Sequence, residues 1–292
     1  MALNGQTRQQ EAPDDPHVAR LMEDLRAKSG LKRDDLLARK IAGVLRQRAP
    51  GERAAWVDDL IARPSSDPAW LAFVEAVTVH ETYFFRDPGQ LAALAERYLP
   101  DMLAAKAAAG DRSLRVWSAG CASGEEAYTA AILLREAIAA RGEAPEDWSI
   151  AVTGSDISRA ILAQAAEGVY GGPGLNAFRR MPARHAVHFV DCGADQPGRR
   201  QVVPRLAALV RFRQHNLMDP EPPETGFDIV MCRNVFIYFD EAAQQRAVAT
   251  LRKGLAEGGY LLLGVTDRLP PGSGFVREAS GTAVIYRRAE GA

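Results

Sequence analysis

The chain has 292 residues and 47% apolar content, enough for one large α/β domain plus a small companion. Its 36 basic and 37 acidic side chains leave a formal net charge of −1, so nothing global marks a nucleic-acid binder, and local charge must carry any partner argument. Cys121, Cys192 and Cys232 are odd in number and lack a C-x-x-C pair, which argues against a disulfide framework or a zinc site. With no signal-like N-terminus and no apolar run near the roughly 20 residues that span a bilayer, a cytoplasmic protein without membrane insertion is expected.

Residues 1–14 are polar and aperiodic and are expected to be disordered. Asp15-Pro16 then reads as a helix start, with a capping acid and Pro in the first turn. Val18, Leu21, Met22 and Leu25 repeat at helical spacing until Gly30. A second helix carries Leu37, Ile41, Val44 and Leu45 on one face, with Lys32, Arg33, Arg39, Lys40, Arg46 and Arg48 on the other face and flanks. A third, around Trp56 to Ala62, ends before Pro64, and Asp67-Pro68 starts a fourth. Residues 15–79 thus read as a small helical domain. Its basic helix is either a solvated face or a docking surface for an acidic helical partner.

His80-Glu-Thr-Tyr-Phe-Phe-Arg-Asp-Pro88 follows. A helix cannot bury Tyr83, Phe84 and Phe85 on one face, so the segment must bend and pack its rings on several sides. It reads either as a domain junction or as a lid with Thr82 and Arg86 pointing into a pocket. Asp87-Pro88 is expected to cap the next helix.

The rest of the chain is organised around residues 114–126. Leu114 to Trp117 is a short apolar run. It turns through Ser118, Ala119, Gly120, Cys121, Ala122, Ser123 and Gly124 into Glu125-Glu126 and a helical pattern. A strand feeding a glycine turn feeding a helix N-terminus suits a nucleotide, because the backbone can approach the ligand and present free N–H groups. The two acids speak against a pyrophosphate and suit hydroxyls or a positive centre. Trp148 to Val152 reads as a second strand running into Gly154-Ser155-Asp156, which places Asp156 to accept from ribose hydroxyls. Asp156 could instead cap the next helix, but Ser158 could fill that cap. Gly120-Cys-Ala-Ser-Gly124 is not G-x-G-x-x-G, which disfavours NAD.

Residues 169–208 break the strand–helix rhythm. They open with Gly171-Gly-Pro-Gly174, and two alternating runs, His185 to Val190 and Arg199 to Val203, suggest an inserted β-hairpin. His185 and His188 stand three apart, but metal ligation needs more partners than are visible, and no metal is expected. Val210 to Gln214 is a strand leading to Asn216-Leu217. Phe227 to Cys232 is another, ending in Arg233-Asn234. Asp240 looks like the cap of a helix from Glu241 to Leu255. Strands from Tyr260 to Gly264 and from Thr282 to Arg288, after a Pro270-Pro-Gly272 loop, complete the core. Long apolar strands alternating with helices predict a parallel sheet covered on both faces. Gly120, Glu125, Asp156, Asn216, Arg233 and Asn234 all fall at carboxyl ends of its strands, where such sheets bind ligands.

Thr82-Tyr-Phe-Phe-Arg86, the Trp117 to Tyr128 stretch, Gly154-Ser-Asp-Ile157 and the run from Phe227 to Asp240 make the chain recognisable. From about Leu21 to Tyr286 it resembles the CheR family of S-adenosylmethionine-dependent methyltransferases, which methylate chemoreceptor glutamates. The resemblance implies an α/β fold: a Rossmann-like methyltransferase domain over residues 80–292, a small N-terminal helical domain, and an inserted β-subdomain near 169–208. Thr82, Arg86, Glu125, Asp156, Asn216, Leu217, Arg233 and Asn234 match the family's cofactor contacts, with Gly120 in the same loop. Asp156 would hold the ribose and Asn216-Leu217 the adenine. His80 stands at a further contact, where relatives often carry Asn. Arg86 and Tyr238 would stand near the methyl group and the incoming carboxylate. Gly264-Val-Thr-Asp267 departs from the family's Gly-His-Ser-Glu. The implied cofactor is S-adenosylmethionine, its product S-adenosylhomocysteine, and the implied partner the cytoplasmic domain of methyl-accepting chemoreceptors, docked on the basic helix. A monomer is expected. The alternatives are a methyltransferase of the same fold acting on another protein or a small molecule, and a non-catalytic cofactor-binding regulator.

Overall fold

A computed structural model describes residues 15–172, 176–269, 272–281, 283–289 and 291. The polar start, Pro173 and Gly174 of the glycine turn, the Pro270-Pro271 pair and Thr282 lie outside the described residues. The chain divides into two units: Met1–Val79 with Tyr238–Asp240, and His80–Ile237 with Glu241–Ala292.

The first unit contains helices α1 (Pro16–Ser29), α2 (Asp35–Arg46), α3 (Arg53–Ala62) and α4 (Pro68–Val77). Three begin on an acid that accepts a first-turn N–H: Asp15 from His17, Asp34 from Leu37 and Asp67 from Ala69, each at 2.8 Å. Gly30 ends α1 in the left-handed region at φ +74°. Leu21, Leu25, Ile41, Leu45 and Trp70 form the core, and the Trp70 indole donates to Asp24 at 2.7 Å. Tyr238–Asp240 packs here: the Lys32 N–H donates to the Tyr238 carbonyl at 2.8 Å, and Arg26 pairs with Asp240 at 3.3 Å. Arg39 and Arg46 are exposed on α2. Two other cations of that helix and its flank are not on an open face. Lys40 donates to the Thr78 carbonyl at 2.5 Å, and Arg48 lies 3.6 Å from the centre of the Trp56 ring.

In the second unit, α5 (Pro88–Ala93) passes through a π-helical stretch, Leu94–Tyr98, into α6 (Leu99–Ala108). Then come β1 (Ser113–Ala119), α7 (Glu125–Ala140), β2 (Ser149–Asp156), α8 (Arg159–Glu167), β3 (Val169–Gly171), β4 (Phe189–Asp191) and β5 (Arg199–Val202). The chain finishes with α9 (Pro204–Ala207), β6 (Val210–Gln214), β7 (Phe227–Cys232), α10 (Glu241–Gly254), β8 (Leu255–Leu263), β9 (Phe275–Ser280) and β10 (Ala283–Arg288). Seven strands form one sheet in the order β6-β2-β1-β7-β8-β10-β9. The first five are parallel, and β10 runs antiparallel to both of its neighbours. Trp117, Val152, Val230, Met231 and Leu262 are fully buried, as strands covered on both faces require.

A separate antiparallel sheet, β3-β5-β4, is formed by the insertion. The expected hairpin between 185–190 and 199–203 is only partly strand. Ala183–His188 is a 3₁₀ turn, and β4 begins at Phe189. Three residues per turn put His185 and His188 on one side, so both rings turn inward, whereas a strand would have placed residues three apart on opposite faces. Asp87 precedes α5 but makes no capping hydrogen bond, because it sits at φ +52° and its carboxylate faces Arg233 at 3.3 Å. The strand β9 escapes a reading of alternation, since as an edge strand it buries little.

A candidate cofactor rim at the carboxyl edge of the sheet

The strand order runs outward in both directions from β1, so the loops leaving β1 and β7 part at a topological switch point. The loop after β1 is strapped to β2. The N–H groups of Gly120 and Cys121 both donate to the Ser155 carbonyl, at 2.8 and 2.9 Å. The Ala122 N–H donates to the Asp156 carboxylate at 3.0 Å, and Gly124 closes the turn on the Cys121 carbonyl at 2.9 Å. Gly120 lies at φ +72°, and a Cβ there would stand 2.6 Å from Val235. Gly124 lies at φ +92°, and a Cβ there would stand 2.9 Å from both Ala165 and Phe212. Only glycine meets both demands at these two positions.

Glu125 and Glu126 open α7 and are held differently. Glu125 is 4% exposed and accepts from the Ser123 hydroxyl at 2.6 Å. Glu126 accepts from the Ser118 hydroxyl at 2.8 Å and pairs with Arg233 at 3.4 Å. Asp156 accepts from the Ser158 N–H at 3.0 Å through its other oxygen, while Ser158 caps α8 through its own hydroxyl. Burial pushes the carboxyls of Glu125, Glu126 and Asp156 above the ordinary carboxylate range. For Asp156 the hydrogen bond from Ser158 and the nearness of His80 oppose that shift. The neighbouring Cys121 thiol is buried and pushed well up, so it is not a reactive thiolate.

The His215 N–H donates to the Asp156 carbonyl at 3.0 Å, which sets Asn216 and buried Leu217 directly beyond the tip of β2. At the end of β7, Asn234 adopts φ +60°, and its side-chain oxygen is buried with no hydrogen-bond partner. The guanidinium of Arg233 is 2% exposed and committed to the protein. It donates to Gln90 at 2.9 Å, to Glu126 at 3.4 Å and to the Arg86 carbonyl. Gln90 in turn donates to the carbonyls of Leu263 and Val284 at 3.1 and 2.8 Å. Sequence reading missed Gln90 altogether, because its partners lie 143 or more residues away and leave no local spacing.

The aromatic segment bends as its composition demands. Phe84 packs on Tyr170, Phe178 and Phe189 at 4.8–5.3 Å between ring centres. Phe85 turns the other way, at φ +57°, and stacks on His185 at 4.1 Å. Tyr83 carries the Arg179 guanidinium at 3.7 Å and that of Arg86 at 5.6 Å. Arg86 also donates to the Glu81 carbonyl at 2.9 Å. His80, Thr82 and Arg86 are all half-buried. Nine predicted positions, namely Thr82, Arg86, Gly120, Glu125, Asp156, Asn216, Leu217, Arg233 and Asn234, therefore belong to this unit, as does His80. Tyr238 belongs to the other unit.

A glycine turn held against the second strand, buried acids around it and an orphaned acceptor on Asn234 fit a ligand rich in hydroxyl and amino donors, as S-adenosylmethionine is. The fold and rim define an α/β enzyme of the S-adenosylmethionine-dependent methyltransferase class. Residues 80–285 match the family described as CheR methyltransferase, SAM binding domain. The chain is 36% identical over 204 residues to the chemotaxis protein methyltransferase of Vibrio anguillarum, and 37% identical over 204 residues to chemotaxis protein methyltransferase 1 of Vibrio cholerae, covering 68% of each chain in both cases. It is 35% identical over 254 residues to the probable biofilm formation methyltransferase WspC of Pseudomonas putida, covering 85% of this chain and 56% of that one. The chain belongs to the CheR methyltransferase family, and its cofactor is S-adenosylmethionine.

Proposed function

We propose that the protein methylates glutamate side chains in the cytoplasmic domain of methyl-accepting chemoreceptors, giving glutamate methyl esters and S-adenosylhomocysteine. The observation that carries this reading is the junction at Arg233. There the segment ending in Arg86 is fastened to the tip of β7, beside Asn234 and the acid-lined loop after β1. The names of the Vibrio relatives supply the chemotactic context.

S-adenosylmethionine supplies a methyl group already activated on a sulfonium. A glutamate carboxylate is ionised at neutral pH, so no residue has to remove a proton from it. What remains for the chain is positioning, which can contribute about 7–11 kcal/mol. Asp156 and Glu125 are assigned the ribose and amino donors of the cofactor, and Asn216-Leu217 the adenine side. Asn234 offers its unpartnered oxygen to a further donor. His80 and Thr82 line the rim, and Gly120 keeps the loop close. Arg86 presents a planar fork that can orient the incoming carboxylate. Arg233 acts through the residues it holds.

A second reading keeps the chemistry and changes the signalling output, since the WspC match extends over more of this chain than the Vibrio matches do. Incubation with methyl-labelled S-adenosylmethionine and a panel of receptor cytoplasmic fragments tests the proposal. It predicts label released by mild alkali and mapped to glutamate. Label stable to alkali, or none on any receptor fragment, would overturn it.

A further inference from the structure

Behind the rim, three side chains converge that the methyl transfer does not use. His185 and His188, on the 3₁₀ turn Ala183–His188, are 0% and 7% exposed. The Nδ1 atom of His185 lies 2.8 Å, and the Nε2 atom of His188 3.1 Å, from the same oxygen, Oε1 of Glu136 on α7. One donor atom from each residue falls within 4.8 Å of the others. The Glu136 side chain is 37% exposed, so the cluster has an open side.

We propose that Glu136, His185 and His188 bind a divalent transition-metal ion of the zinc class, with water completing the coordination. Two imidazoles and one carboxylate are a ligand set that suits zinc, and neither magnesium nor calcium favours imidazole. Tetrahedral zinc with bonds of about 2.0–2.1 Å would hold its ligand atoms roughly 3.3 Å apart. The observed separations of 2.8 and 3.1 Å need to open by only a few tenths of an ångström. Two features hold the affinity down. Arg184 places positive charge near His185. The far ring nitrogens, Nε2 of His185 and Nδ1 of His188, are buried without hydrogen-bond partners, although metal-bound imidazoles usually donate from that atom.

The ion would clamp the inserted β-subdomain to α7. Phe85 stacks on His185 at 4.1 Å with planes 12° apart, and Arg86 follows it in the chain. Occupancy would therefore stiffen the segment that carries Arg86. This inference rests on the three ligands alone and stands apart from the choice of methyl acceptor.

The test uses the full chain stripped with a chelator and titrated with zinc against a chromophoric competitor. One saturable equivalent is expected, with a rise in melting temperature on zinc addition and no competition from excess magnesium. Glu136→Gln keeps an acceptor oxygen for both rings, so its metal-free melting temperature should match the wild type while zinc affinity falls at least about tenfold. His188→Ala should abolish the single equivalent, and the cobalt-loaded wild type should show visible bands that this variant lacks. Failure to bind one equivalent, or equal affinity in the wild type and both variants, would overturn the proposal.

Discussion

Asp156 uses one lone pair on each carboxylate oxygen before any ligand arrives: the Ala122 N–H occupies one oxygen and the Ser158 N–H the other. It thus holds the glycine loop and still has acceptor capacity for hydroxyls. Because burial raises Asp156 and Glu125, both keep their protons to higher pH than free carboxyls do. The sign for stability follows: the contribution of a group with a raised folded pKa is present below the unfolded value, about 4, and is lost as pH rises through the folded one. Ligand binding runs the other way, since the ionised forms are the better acceptors. Calorimetric affinity for S-adenosylhomocysteine should fall on acidification, beginning above the ordinary carboxylate range, and Asp156→Asn should flatten that fall. A profile identical in wild type and variant would contradict the assignment. Arg86 is tested by a different comparison. Arg86→Ala should lower turnover by roughly 10²–10³-fold, about 2.7–4 kcal/mol, with a much smaller loss of S-adenosylhomocysteine affinity. Equal losses in both would make it a binding residue and not an orienting one.

At the scale of elements, much was legible in the chain because the physics is local. The strands Val210–Gln214 and Phe227–Cys232 read directly, the first from its alternation of apolar and polar residues and the second from a short apolar run rich in strand-forming residues between polar loops. The three adjacent aromatics forced a bend, and the bend exists. What stayed hidden depends on partners far along the chain. Asp87-Pro88 looks like a cap, but Arg233 takes the carboxylate. Arg233 reads as a ligand contact, whereas its guanidinium is committed to Gln90, Glu126 and the Arg86 carbonyl. The pair His185 and His188 lacked a third member until folding brought Glu136 beside it from 49 residues away. The basic helix is also sharpened. Lys40 is anchored on the Thr78 carbonyl, and burial lowers its pKa, so Arg39 and Arg46 are the exposed cations to test on α2. Arg39→Glu with Arg46→Glu should slow receptor methylation by about tenfold at low salt, less at high salt, and leave S-adenosylhomocysteine binding unchanged. Undiminished receptor methylation would remove α2 as the docking element.

At the scale of the whole molecule, the family match at residues 80–285 coincides with the unit that begins at His80, and cofactor chemistry is assigned to that unit. The helical unit carries α2, for which receptor docking is proposed. No helix among the described residues is long and apolar enough to cross a membrane. Every proposed step depends on the cofactor lying across the ends of β1, β2, β6 and β7. The most direct measurement is a crystal structure of the full chain with S-adenosylhomocysteine. The account predicts ribose oxygens on Asp156, the adenine beside Asn216-Leu217 and the sulfur facing the Thr82–Arg86 segment. A ligand bound elsewhere, or that rim left empty at saturating ligand, would contradict it.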